Sequence, residues 1–443
     1  MLKSDSFCQE IPNEFYQFEI NKIKNDAGLN WERNSLFGPQ RFNNNVNKTS
    51  YGQSRFGFEL NTKGKGAYFY NRFTLKNNFH GYIYSRLVNN PNAFNRYTGV
   101  ERKISRLGFT SGETDLSGIC YENEWILIQV GRGRQSWGAG NDIQLANSEN
   151  SPAYDYGILG FVFRDFRFRS FNGFLESDSL ENNRYISGRG LEWKNDKILI
   201  GVTELVIYSG RKRPLDVAYL NPLTNHLEVE LNERQNSLGT DSGNGVWQLS
   251  FDYINKRKIR LSYNLLIDEF ILDKSQKEDG KANGMASSVK IVYNLFVSDS
   301  SIVNLYISSV IVGKNTFRHE DGLNNFVHRG QPLGWHLGSD SKEIEAGMNI
   351  INNNSIVSAI TIGYREIGDN NLLLTPYLPY ENYLANSLQS GRINKVSFLN
   401  FNIEWWLRKY ISVSFESKIE NSTFQKINHS FNFKMNMFFL KDY

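Results

Sequence analysis

Hydrophobic and polar residues alternate one by one along much of this chain. Leu399, Phe401, Ile403 and Trp405 interleave with Asn400, Asn402 and Glu404. Ile411, Val413 and Phe415 interleave with Ser412, Ser414 and Glu416. Phe431, Phe433, Met435 and Met437 interleave with Asn432, Lys434 and Asn436. A period of two places each set on one face of a strand. Upstream, the pattern recurs as pairs split by short polar turns. Residues 67–75 and 79–87 flank Lys76-Asn77-Asn78, and residues 189–193 and 197–208 flank Lys194-Asn195-Asp196. Trp247, Leu249, Phe251 and Tyr253 share one face, and after Asn255-Lys256-Arg257 the residues Ile259, Leu261, Tyr263, Leu265 and Ile267 share the next. Residues 289–296 and 302–312 form a further pair.

Such turns alternate with long polar stretches at 215–244, 272–286 and 373–393. Short turns at one end and long loops at the other, with two-faced strands between, predict a transmembrane antiparallel β-barrel of roughly 16–18 strands. No window approaches the run of about 18 apolar residues that a membrane-spanning helix needs. Only helices and closed barrels satisfy the backbone in lipid, so a membrane location implies the barrel. The predicted division is a short irregular, plug-like segment over 1–45 and the barrel over 46–443. Met1 to Glu10 has no signal-peptide core, so an exported form is expected to carry a leader ahead of it.

Composition agrees with this pattern. The 443 residues include 31 Phe and 23 Tyr but only 9 Pro, as many paired strands require. The mean hydropathy of −0.48 is too polar for a helical membrane protein, but it suits a barrel whose strands turn one face to water. A net charge of +4, without a concentrated basic stripe, argues against a nucleic-acid partner. Two cysteines, Cys8 and Cys120, provide neither a metal site nor a disulfide framework, and whether they pair stays open.

The chain is poor in catalytic motifs. Gly131-Arg132-Gly133 opens like a dinucleotide loop, but it lacks the later glycine and a βαβ setting. His319, His328 and His336 would form a metal site only if folding converged them, and no metal or other cofactor is expected. Asp155, Asp165, Glu176, Asp268 and Glu269 would supply a glycosidase pair only if two of them met in space.

The segment that stands out runs from Val130 to Asn141, with Arg132, Arg134, Trp137 and Asn141 among glycines and amides. Beyond it come Arg164, Arg167 and Arg169 in alternation with Phe163, Phe166 and Phe168. Guanidinium forks suit carboxylates and flat aromatic faces suit sugar rings. These seven residues are therefore the candidate polysaccharide contacts. The alternative is that the arginines form ladders with carboxylates that stiffen the barrel wall.

The order of Gly133-Arg134, Trp137-Gly138-Ala139-Gly140, Ser151-Pro152-Ala153 and Gly173-Phe174-Leu175-Glu176 resembles the Wzi-like family of capsule-assembly outer-membrane proteins. Asn221-Pro222, Asp268-Glu269-Phe270 and the run Pro332 to Asp340 extend the likeness over most of residues 50–440. The resemblance implies an 18-stranded outer-membrane barrel that tethers capsular or extracellular polysaccharide to the cell surface, without catalysis. The family's periplasmic helical bundle has no clear counterpart in residues 1–45, where only Glu14 to Asn25 has an amphipathic pattern. A monomer in outer-membrane lipid is expected. The rival readings are an oligosaccharide porin and, further off, a glycan-processing enzyme.

Overall fold

The computed structural model describes residues 50–442, apart from 95, 225–228, 230–242, 270–277, 279–282, 299, 353–354, 380–390, 409 and 425–426. Ahead of residue 50 it describes 23–24, 26–29, 31 and 34–37. Eighteen strands form one sheet. In chain order they begin with β1 (Tyr51–Asn61), β2 (Gly64–Leu75), β3 (Phe79–Val88), β4 (Ser111–Glu122), β5 (Ile126–Gly133) and β6 (Tyr154–Phe163). There follow β7 (Phe166–Ser177), β8 (Asn182–Lys194), β9 (Ile198–Arg211), β10 (Gly243–Asn255), β11 (Ile259–Glu269), β12 (Gly284–Val297) and β13 (Ser301–Val312). After a small hairpin, β14 (Val327–His328) and β15 (Gln331–Pro332), the wall resumes with β16 (Ser341–Asn352), β17 (Ile356–Ile367), β18 (Asn394–Arg408), β19 (Ile411–Ser422) and β20 (Asn428–Asp442).

Each wall strand pairs antiparallel with its chain neighbours, and β20 pairs with β1 from Tyr51↔Asp442 to Asn61↔Asn432. The sheet is therefore closed and has no free edge. Every turn that leads from an even strand to an odd one in β2–β13 is two or three residues long, as are those joining β16 to β17 and β18 to β19. The long connections, 89–110, 134–153, 212–242, 313–340 and 368–393, all emerge at the opposite end. No described helix is long and apolar enough to cross a membrane.

Side-chain placement follows the alternation. Leu399, Phe401 and Trp405 are exposed on the outer wall, together with Phe56, Phe58, Ile119, Val130, Ile362 and Phe433. An apolar band of this extent requires lipid around it, since a water-soluble surface does not sustain such patches. The inner face carries buried polar groups such as Gln248, Asn264, Glu192 and Asn304.

One part of the outer wall departs from the pattern. Arg189 and Glu204 form an ion pair at 3.0 Å on the outward faces of β8 and β9. The loop after β9 covers this pair. Tyr219 stacks on Tyr208 at 4.3 Å, and Arg189 Nη1 donates to the Asn221 carbonyl at 3.1 Å. Charge on the outer wall is thus shielded by the chain itself, while Val217 and Leu223 take over the exposed apolar surface.

Candidate functional site

The lumen is filled on one side by two pieces of chain. The first is the N-terminal stretch. Asp26 meets Lys290 of β12 at 2.9 Å, and the Ala27 carbonyl accepts from Asn294 Nδ2 at 2.6 Å. The Trp31 indole donates to the Asn195 carbonyl at 2.9 Å. Glu192 is fully buried and gathers Ser35 Oγ, the Leu36 amide and Arg167 Nη1 at 2.7–3.0 Å. A buried carboxylate with three donors is satisfied, so this contact ties residues 34–36 to the wall.

The second piece is the loop 134–153, which folds inward from the long-loop end. Its path is set by Asn264 of β11, which is fully buried. The Asn264 amide accepts from the Ala139 N–H at 2.7 Å and donates to the Ala139 carbonyl at 2.9 Å, as a paired strand would. Ser288 Oγ donates to the Ile143 carbonyl at 2.8 Å. Gly138 sits at φ +133° with Gln248 Nε2 only 2.7 Å from where a Cβ would be, so a side chain there is strained and crowded. The two pieces meet at Trp137, whose ring lies 4.9 Å from both Phe37 and Phe171.

A third segment closes the cluster from outside. In the loop 313–340, the Trp335 amide donates to the Leu145 carbonyl at 2.8 Å, and the Ser148 amide donates to Leu333 at 3.0 Å. A Cβ on Gly334 would collide with the Leu145 carbonyl oxygen, so only glycine permits this approach. His328 is buried with Nε2 3.1 Å from the Ala153 carbonyl. Burial lowers its pKa to about 4, against a smaller opposing pull from Glu176, so the ring is neutral and Nε2–H donates. Arg318 donates to the carbonyls of Thr375 and Leu378 and to Thr375 Oγ1 at 2.6 Å. Burial brings its pKa down to about 10, which leaves it charged at neutral pH.

The seven candidate contacts fall in different places. Arg134 is buried, forked onto Asp115 at 2.5 and 3.0 Å and bonded to the Ser151 carbonyl at 2.6 Å. Trp137 has no exposed surface. Arg167 donates to Asn34 at 2.9 Å and Arg169 to the Phe37 carbonyl at 2.6 Å, so both hold the N-terminal stretch. The Asn141 carbonyl accepts from Lys290 Nζ at 3.3 Å. Arg132 lies on the outer wall beside the exposed Asp155, at 3.2 Å. Arg164 occupies the short turn after β6 at φ 54°, at the far end from the long loops. The structure thus brings Arg134, Trp137, Asn141, Arg167 and Arg169 to one side of the lumen and sets Arg132 and Arg164 apart.

The other histidines and carboxylates are dispersed. His319 Nδ1 accepts from Asp321 and His336 lies 3.6 Å from Glu343; no cluster of metal-ligating side chains occurs among the described residues. Asp165 is in a short turn, Glu176 pairs with Arg184 at 2.6 Å, and Asp268 accepts from the Phe317 amide. Cys120 is a buried free thiol, while Cys8, His226 and the side chain of Glu269 lie outside the described residues.

Across the lumen is a polar cavity of about 480 Å³, bounded by β1–β3, β12–β13 and β16–β20. Tyr68, Tyr84 and Tyr306 line it with Asn400, Asn402, Asn432, Glu404 and Glu416. Sequence reading missed it as a site, although these polar positions are the very ones that alternate with the C-terminal apolar residues. At the short-turn end it meets an apolar cluster of Ile23, Ile302, Ile351, Val357, Trp406 and Phe438.

The wall, the loops and the lumen define a closed outer-membrane-type β-barrel whose interior is largely occupied by its own chain. Among solved structures it is similar to Wzi of Escherichia coli, an outer-membrane protein involved in group 1 capsule assembly and a carbohydrate-binding β-barrel. That likeness has 9% sequence identity, covers 88% of this chain and 84% of that one, and has a TM-score of 0.62. Pseudomonas aeruginosa OprD matches at 9% identity over 89% and 95% of the two chains, with a TM-score of 0.47. No protein-family model and no curated sequence matches the chain.

Proposed function

We propose that this protein is a monomeric outer-membrane barrel that binds capsular or extracellular polysaccharide and tethers it to the cell surface without catalysis. The observation that carries the reading is the junction of Phe37, Trp137 and Phe171, where an inward loop and the N-terminal stretch meet inside the barrel. A conduit would leave that space open. The carbohydrate binding of the E. coli barrel with the same overall fold supports the choice of ligand. Arg134 and Trp137 act in this reading as positioning residues for the inward loop, and Arg167 and Arg169 hold the N-terminal stretch nearer the short-turn end, while Asn141 and Arg132 stand nearer to solvent. Individual sugar contacts are weak, but a long polymer engages several at once and is held through the resulting effective concentration. The carboxylates are engaged separately, which suits a binding role.

Removing the protein from its host is expected to move surface polysaccharide from the cell-bound to the released fraction while total synthesis is unchanged. Unaltered attachment would contradict the reading. A second reading, a channel for short oligosaccharides, is favoured by the cavity, whose volume falls in the range of small-ligand sites, roughly 300–1,000 Å³.

A further inference from the structure

Between β3 and β4 the chain forms a small hairpin of its own. The Arg102 amide donates to the Thr110 carbonyl at 2.9 Å, and Arg106 and Phe109 exchange two backbone bonds at 2.9 and 3.0 Å. Leu107 at φ 53° and Gly108 at φ 80° make the two-residue turn, with both central residues left-handed as a type I′ hairpin requires. The exposure of this hairpin is unusual. Leu107 is 97% exposed, Val100 82% and Ile104 73%. Three cations, Arg102, Lys103 and Arg106, interleave with them and are exposed as well. No packing within the described residues accounts for three bare aliphatic side chains at a loop tip.

Its position suggests what covers them. A Cβ on Gly108 would lie 3.2 Å from Lys65 Nζ. Lys65 is the second residue of β2, at the long-loop end, and alternates with the inward, buried Tyr68, Tyr70 and Arg72, so it belongs to the outer wall. It pairs across the ladder with Leu60, one of the exposed apolar residues of that wall. The tip therefore lies beside the long-loop rim of the outer wall, next to the end of its apolar band. Apolar side chains that reach toward acyl chains, set among cations, match the chemistry of an interfacial anchor on an anionic surface.

We propose that the hairpin 100–110 binds the phosphate-bearing headgroups of outer-leaflet lipid, with Arg102, Lys103 and Arg106 on the phosphates and Val100, Ile104 and Leu107 in the acyl border. The inference rests on the barrel fold and is independent of polysaccharide binding. The test uses the full chain in detergent micelles, titrated with diphosphorylated lipid A and read by native mass spectrometry. Dephosphorylated lipid A and acyl-free glucosamine 6-phosphate serve as comparators. Tight retention of the phosphorylated lipid alone is expected. The triple variant R102E/K103E/R106E should weaken it by at least about tenfold, and I104S/L107S by about threefold. Both variants should keep the heat-dependent gel shift of a folded barrel, since the substituted side chains are exposed. Equal binding of dephosphorylated lipid, an unchanged affinity in the triple variant, or equally tight binding of glucosamine 6-phosphate would overturn the proposal.

Discussion

The two sides of the lumen share one wall design and enclose opposite interiors. From β6 to β13 most inward side chains are buried against added chain, with Phe171, Leu205, Val246, Leu266 and Val312 around Trp137. From β16 round to β3 the lumen keeps a polar cavity onto which inward side chains such as Asn402 and Glu416 are exposed, although others there, such as Tyr68 and Ser412, are buried. The polar and apolar alternation is the same in both. The difference lies in what the strands' connections do: the loop 134–153 turns inward only on the first side. A barrel wall therefore leaves the character of its lumen undetermined, and inserted loops decide it.

The sharpest way to break this contrast is at the junction. Trp137→Ala removes a fully buried indole between Phe37 and Phe171, and is expected to cost about 3–5 kcal/mol. Arg134→Ala strands the buried Asp115 and should cost about as much, roughly 3–5 kcal/mol. The double variant Arg134→Met with Asp115→Leu should recover most of that loss, because the uncompensated charge is gone. Denaturant unfolding in detergent, followed by the heat-dependent gel shift, measures all three. Equal losses in the single and double variants would mean that the ion pair itself, rather than its burial, carries the stability.

An intermediate effect should come from pH. His328 takes a proton in the folded state only near pH 4, whereas a free imidazole does so near about 6.5. Its pKa is lowered by folding because the buried site disfavours the charged ring, so the stability that the neutral ring contributes is fully present above about pH 6.5. It is lost progressively as pH falls from there through about 4, while Nε2–H can still donate to Ala153. Proteolysis of that loop should accelerate over this window in the native chain, and His328→Asn should flatten the profile. The smallest effect is predicted on the hydrated side. Asn402→Ala should change stability by less than about 0.5 kcal/mol, since its side chain already faces water.

Much of the wall was legible in the sequence. The turns at 76–78, 195–197 and 256–258 and the long loops follow the predicted pattern closely, because a period of two is a direct imprint of a two-sided strand. Strand β1 begins at Tyr51, ahead of the Phe56 where alternation becomes plain, as Gly52 and Ser54 leave the outward positions without apolar side chains. The roles inside the lumen were less legible. Arg134 and Arg132 are two residues apart, yet one forks onto a buried aspartate and the other lies on the outer wall. Trp137-Gly138-Ala139-Gly140 and Pro332-Leu333-Gly334-Trp335 stand out as motifs, and the structure supplies the reason. Gly138 fits a crowded left-handed position, and Gly334 lets one loop backbone lie on another. Neither partner, Gln248 nor Leu145, is near in sequence, so no local pattern identifies the contact.

The most direct test of the central claim, that the barrel is closed by its own chain, is single-channel conductance of the full chain in a planar bilayer. The packed side and the apolar cluster beneath the polar cavity predict no steady ohmic openings in the native chain. Large, stable conductance steps from natively folded protein would contradict the account.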